Sequence, residues 1–246
     1  MLWYNMFMYK LIFLDTETTG NETKDYLCQV CYSLNGEFYV ENFKPPVPIS
    51  IESMAVHHIT QKMVDDKAPF KGSDMYKNLE SFFLDEKVVM IAHNAPFDIM
   101  MLEKEGLHVR KYICTLRLLR YLDDEQKIPR HNLQYLRYFL GFELDAPAHD
   151  AKGDVIVLKE LFTHLLKIFK TKENISEDEE AIKKMIEVSS TPSLIRVFNF
   201  GKHAGKFVAD VAKTDRGYLE WLLEQKKQSP TNEEDWIYTL EKYLKN

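Results

Sequence analysis

Three short β-forming runs, KLIFLD, CQVCYSL and EFYVENF, lie within residues 10–43, and Asn35-Gly36 joins the last two. Asn-Gly between alternating apolar runs is a strong hairpin signal, because both turn residues must take positive φ. After Pro45-Pro46-Val47-Pro48 the pattern turns to helix alternating with strand. Helical periodicity covers about 73–84, 96–105, 115–122, 132–140 and 151–169, with VVMIAH and YIC as strand-like runs between them. A hairpin joined to βα units admits few architectures. The order predicts an α/β fold with a mixed β-sheet flanked by helices.

Beyond residue 170 the composition shifts. Residues 171–187 carry three Lys against six Asp or Glu, and Ser176 followed by Glu179 fits a capping box. The expectation is a main α/β domain over 1–170, a solvated acidic linker helix over 171–189 and a small C-terminal domain over 190–246. Arg196, Lys202, Lys206 and Lys213 against Asp210 reverse the sign of charge in the last of these.

The formal charge of −6 excludes a global basic field, so any polyanion must be held locally. Three cysteines are too few for a disulfide scaffold and fit a reducing compartment. Lys10 interrupts the apolar opening MLWYNMFMYKLIFL, which reads as a core strand with an apolar lead-in rather than a signal peptide. No stretch approaches the roughly 20 apolar residues that span a bilayer, so a cytoplasmic protein without membrane partners is expected.

Three motifs carry chemistry. In LDTETTG, Asp15 and Glu17 stand two apart at the end of a β run, which places both carboxylates on one strand face. Like charges so close call for a neutralising cation, and hard divalent ions prefer oxygen ligands. In AHNAPFD, Asn94 is a candidate helix cap, Pro96 suits the first helical turn, and Asp98 falls within that turn near a strand end. In HDAKGD, His149 and Asp154 converge only if His149 precedes a helix that begins near Asp150 and carries Asp154 on its first turns.

Together these motifs reproduce the pattern D-x-E, N-x-x-F-D, H-x-A-x-x-D in Asp15, Glu17, Asn94, Phe97, Asp98, His149, Ala151 and Asp154. In that pattern the chain resembles the DEDDh 3′→5′ exonucleases of the ribonuclease H-like fold over about residues 9–170. SIESMAVHHIT, YICTLRLLRYL, FNFGKHAGK and DRGYLEWLL are similar to the exodeoxyribonuclease X branch, including its small C-terminal domain. Asn21 stands where many relatives carry an apolar residue, and Val155 where a small one is usual.

The resemblance implies that Asp15, Glu17, Asp98 and Asp154 hold two Mg²⁺ or Mn²⁺ ions and that His149 acts as general base. Asp150 then serves as a helix cap. The resemblance also implies a 3′-terminal nucleotide seated by Thr16, Thr18, Met54, His57 and Asn94, and release of 5′-mononucleotides. The implied partner is DNA with a 3′ end, single-stranded or in a frayed duplex, in a DNA-repair setting. RNA is the alternative substrate. Arg117, Arg120, Lys127 and Arg130 are candidate phosphate contacts.

Other signals point to structure. Cys28 and Cys31 face opposite sides of a strand and do not make a zinc site. Tyr135, Tyr138, Phe139 and Phe142 have helical spacing and are expected in the core, and Trp221 is expected to pack the C-terminal domain. FNFGKHAGK fits either a phosphate-gripping loop or a turn with solvated lysines. A haloacid dehalogenase-type phosphatase also places an Asp at a strand end, but needs a second Asp where Glu17 stands. A non-enzymatic binding module would have lost ligands, and none is lost.

Overall fold

The computed structural model describes residues 9–145, 151–228 and 233–245. Strands β1 (Lys10–Thr18), β2 (Leu27–Leu34) and β3 (Glu37–Asn42) come first, followed by helices α1 (Ile51–His57), α2 (Gln61–Val64) and α3 (Asp74–Leu84). Next come β4 (Val88–Ala92), α4 (Ala95–Lys104), β5 (Tyr112–Cys114), α5 (Thr115–Leu122) and α6 (Leu133–Phe139). The long α7 (Ala151–Glu173) leads to α8 (Asp178–Ser189), and α9 (Val208–Thr214), α10 (Arg216–Gln228) and α11 (Glu234–Lys245) follow.

The five strands form one sheet in the order β3-β2-β1-β4-β5. β1 and β2 pair antiparallel, as do β2 and β3, whereas β4 lies parallel to both β1 and β5. The sheet is mixed, as expected. Asn35 and Gly36 both take positive φ in the β2–β3 turn, the backbone that an Asn-Gly hairpin demands.

Alternation along β4 feeds two cores. Val88, Met90 and Ala92 pack with Met75, Leu79, Met101 and Leu102 of α3 and α4, and Val89 and Ile91 pack with residues of α5, α7 and α8. Cys28 and Cys31 are free, buried and assigned to different apolar clusters, as their spacing requires. Val155 is fully buried beside Cys31 and Ala151.

Residues 171–189 are not a solvated linker. α7 runs on to Glu173, and α8 buries Ala181, Ile182 and Met185 in the second core. The acidic count described only the outer face of an amphipathic helix. Nor does the Ser176 capping box form, because the N-cap is Glu177, without a side-chain cap bond.

Residues beyond 190 build a separate apolar cluster around Phe198, Leu219, Leu222, Trp236 and Leu240. Trp236, stacked on Phe198 at 5.1 Å, fills the place expected for Trp221, which is 52% exposed. A buried arginine ties this cluster to the sheet domain. Arg117 of α5 donates to the Ser189 carbonyl at 2.7 Å, to Glu234 at 2.7 Å and to Asp235 at 3.2 Å, the two acids standing at the start of α11. Arg120 also pairs with Asp235.

The α6 aromatics depart most from expectation. α6 buries Leu136 and the Arg137 side chain instead, leaving Tyr138 72% and Phe139 46% exposed. Helical spacing alone does not say which side of a helix meets the core.

Candidate active site

β1 outlasts its parallel neighbour. Its pairing with β4 ends at Phe13–Ile91, while pairing with β2 continues through Asp15–Cys31 and Glu17–Gln29 to an irregularity after Glu17. Asp15 and Glu17 therefore project beyond the carboxyl end of β4, where open α/β sheets place ligands. Leu14, Thr16 and Thr18 alternate with them as buried residues. Asp154 arrives from the first turn of α7. One carboxylate oxygen from each of Asp15, Glu17 and Asp154 lies within 4.8 Å of the others.

Such a set of hard oxygen donors fits a divalent cation. Among the described residues it is the one group of His, Cys, Asp or Glu side chains with that geometry. Gln134 of α6 donates its amide to Asp154 and orients that carboxylate. Sequence reasoning missed Gln134, since a glutamine in the first turn of a helix carries no signal of its own.

Asp98 stands outside the three-carboxylate group. It occupies the first turn of α4, as expected, but is 3% exposed and accepts a 2.8 Å hydrogen bond from Thr16 Oγ1. A buried carboxylate takes the nearest donor. Burial pushes the Asp98 carboxyl up to about 7, against which the Thr16 bond acts only in part. Thr16 is thereby committed to Asp98 and not turned to a ligand. His149 and Asp150 lie outside the described residues.

His93 sets α6 beside this edge. Its Nδ1 lies 2.9 Å from Thr115 Oγ1 and its Nε2 2.6 Å from the His131 carbonyl, so Nε2 carries the proton and donates. Burial lowers its pKa to about 4.

An open cleft of about 560 Å³ adjoins Glu17 and is walled by Thr18, Asn21, Ser53, Val56 and His57. Its floor is stiff. A Cβ on Gly20 would come within 2.4 Å of the Asp25 carboxylate, which accepts from Thr19 Oγ1 and the Glu22 amide. His57 accepts the Ile59 N–H at Nδ1, and its Nε2 donates to the Thr18 carbonyl at 3.2 Å. Burial holds its pKa below the usual histidine value. With both ring nitrogens engaged, His57 braces the cleft instead of offering a hydrogen bond to a ligand. Met54 packs against Cys28, Ile49, Ile59 and Val64, and Thr18 Oγ1 donates to the Gly20 carbonyl. Asn94 occupies the N-cap of α4 in a left-handed conformation without the expected side-chain cap bond.

Two candidate phosphate contacts are corrected. Arg117 is 2% exposed, and both Arg117 and Arg120 are spent on carboxylates of α11. Lys127 pairs with Glu125, and Arg130 lies over the Tyr135 ring at 5.8 Å. In FNFGKHAGK, Lys202 pairs with Asp215 at 2.8 Å.

Residues 12–162 match the exonuclease family named for ribonuclease T, and residues 198–227 match the exodeoxyribonuclease X-like C-terminal family. The chain belongs to the exonuclease family. Members of this family are metal-dependent 3′→5′ exonucleases. This exonuclease is 32% identical to Exodeoxyribonuclease 10 of Escherichia coli strain K12 over 216 residues, covering 82% of the chain and 83% of the relative. It is 26% identical to the DNA polymerase III subunit epsilon of Haemophilus influenzae over 249 residues, covering 90% of the chain and 92% of the relative.

Among solved structures, Exonuclease X in complex with 5′ overhanging duplex DNA superposes with a TM-score of 0.55 at 22% identity, covering 73% of this chain and 99% of that one. Exonuclease I of E. coli in complex with a dT13 oligonucleotide superposes with a TM-score of 0.55 at 20% identity, covering 68% of this chain and 42% of that one. The exonuclease thus has the ribonuclease H-like fold expected of it. The phosphatase alternative falls with the family assignment.

Proposed function

We propose that this exonuclease is a 3′→5′ exodeoxyribonuclease that removes 5′-mononucleotides from DNA 3′ ends. The convergence of Asp15, Glu17 and Asp154 within 4.8 Å, with Glu17 also lining a cleft of about 560 Å³, carries the reading. Those three carboxylates, with Asp98 as the fourth, would hold two Mg²⁺ or Mn²⁺ ions. When bound, the ions would supply a lowered pKa for the attacking water and charge stabilisation at the departing 3′ oxygen.

The chain's own residues do the rest. Gln134 holds Asp154 in place, and His57 and Gly20 keep the Thr18 edge of the cleft rigid against the terminal nucleotide. Asn94, Met54 and the Thr16–Thr18 backbone complete that seat. His149, two residues before α7, takes the proton of the attacking water at a ring nitrogen as the water oxygen bonds to phosphorus. The P–O3′ bond breaks, the departing 3′ oxygen takes a proton from solvent, and the shortened strand leaves with a 3′ hydroxyl. The DNA preference is carried over from the relative Exodeoxyribonuclease 10, to which the chain is 32% identical over 216 residues, and is supported by the match of residues 198–227 to the exodeoxyribonuclease X-like C-terminal family.

Digestion of 3′-labelled and 5′-labelled DNA and RNA oligonucleotides, single- and double-stranded, with Mg²⁺ or EDTA, tests polarity, sugar and metal need together. The expected result is Mg²⁺-dependent release of labelled mononucleotide from 3′-labelled DNA. Internal cleavage, or activity undiminished by EDTA, would overturn the reading.

A further inference from the structure

The α6 helix shows solvent its aromatic side. At 100° per residue, Gln134, Tyr138, Tyr135 and Phe139 fall within one arc of about 140°, and the buried Leu136 and Arg137 lie outside it. Tyr135 and Phe139 stack on each other with centroids 5.7 Å apart and ring planes inclined by 20°. Arg130 sits over Tyr135 at 5.8 Å, and Tyr138 is 72% exposed. Large aromatic side chains left in water on so short a helix call for a partner.

The position of this face identifies the partner. Gln134, on the same arc, reaches the carboxylate group through Asp154, and His93 fixes the start of α6 to the end of β4. The aromatic face is therefore continuous with the site where a strand would be cut. Exposed rings with a guanidinium at one end match the bases and phosphates of single-stranded DNA, since every base has a π-face and every linkage a negative charge.

We propose that Tyr135, Tyr138 and Phe139, with Arg130, form a stacking platform for the bases of the substrate strand just upstream of the scissile linkage. This rests on the nuclease reading above. It assigns α6 two tasks, holding Asp154 through Gln134 and holding the strand that approaches it.

The test compares an oligothymidylate of about ten nucleotides with thymidine 5′-p-nitrophenyl phosphate, a single nucleotide ester too short to reach the platform. The variants are Tyr138→Ala and the double variant Tyr138→Ala, Phe139→Ala, both in the full chain. The ratio of kcat/KM on the oligonucleotide to that on the ester should fall about 5- to 150-fold, the equivalent of one lost base stack. Binding of the same oligonucleotide in EDTA, read by fluorescence anisotropy, should weaken by a similar factor.

On an oligonucleotide with abasic sites upstream of its 3′-terminal nucleotides, wild type and variants should perform alike. An unchanged ratio and affinity in folded variants would overturn the platform. So would an equal loss on the abasic oligonucleotide, which would mean that bases are not what α6 holds. Failure of the nuclease reading itself is separately visible, because the wild type would then hydrolyse neither substrate.

Discussion

Replacing Asp15 with Asn should make the metal-free protein more stable while abolishing nuclease activity. One carboxylate oxygen from each of Asp15, Glu17 and Asp154 lies within 4.8 Å of the other two. At that separation two unit charges repel by about 0.9 kcal/mol in bulk water and about 3.5 kcal/mol at an effective dielectric of 20. The three residues are half-buried, so screening keeps each pair toward the lower figure. Asp15 takes part in two of the three pairs, and Asn preserves its size. A gain of about 1–2 kcal/mol in EDTA follows, after allowance for the contacts Asp15 itself makes.

For a chain of this length, each 1 kcal/mol moves Tm by about 2–4 °C. Thermal melts in EDTA and across a Mg²⁺ titration read both signs at once. Wild type should start lower and climb more with Mg²⁺, because a cation bound only to the folded state stabilises it by mass action. Asp15→Asn should start higher, climb less and cut no DNA. A variant that melts below wild type in EDTA would refute the claim that the carboxylates are held together against their mutual repulsion.

His149→Ala should cost roughly 10²–10⁴ in kcat while keeping the Mg²⁺-induced rise in Tm, a split that separates a base from a ligand. Gln134→Leu should raise the Mg²⁺ concentration needed for half-maximal activity roughly 10- to 100-fold, as loss of an outer-shell hydrogen bond does. The pH dependence of the metal-free protein sets two buried groups against each other. Asp98, raised to about 7, contributes stability that is fully present below its unfolded pKa near 3.8 and is lost as pH rises through 7. His93, lowered to about 4, contributes stability present above 6.5 and lost as pH falls through 4. Asp98→Asn removes the first contribution, so between pH 4 and 6.5 its urea midpoint should climb with pH more steeply than that of wild type. Equal slopes would mean that Asp98 does not titrate as a buried group.

Local chemistry was the legible part of this fold. Asn35-Gly36 can make little but a tight hairpin, and Asp15 and Glu17 declare a shared face because side chains on a strand repeat every second residue. The five helices expected between residues 73 and 169 all form, within a few residues of their expected ends.

The illegible part depends on partners distant in sequence. Arg117 looks like a phosphate ligand until Glu234 and Asp235, more than a hundred residues away, are seen to occupy its guanidinium. Tyr138 and Phe139 look like core until the packing of Leu136 shows which side of α6 faces inward. The capping box at Ser176 failed for a related reason. α8 starts where its apolar face meets the second core, and that packing is worth more than one cap bond.

The arginine plug has a bearing on how the molecule can be cut. A nuclease domain severed near residue 190 would keep the Arg117 guanidinium in its hole but lose both acids that neutralise it. An orphaned charge of that kind costs about 3–5 kcal/mol, a large share of what holds an ordinary domain together. The terminal helices are thus a counter-ion as well as an appendage: a shortened enzyme would have to let water in around α5, and the loosening would spread along that helix toward β5 and the sheet.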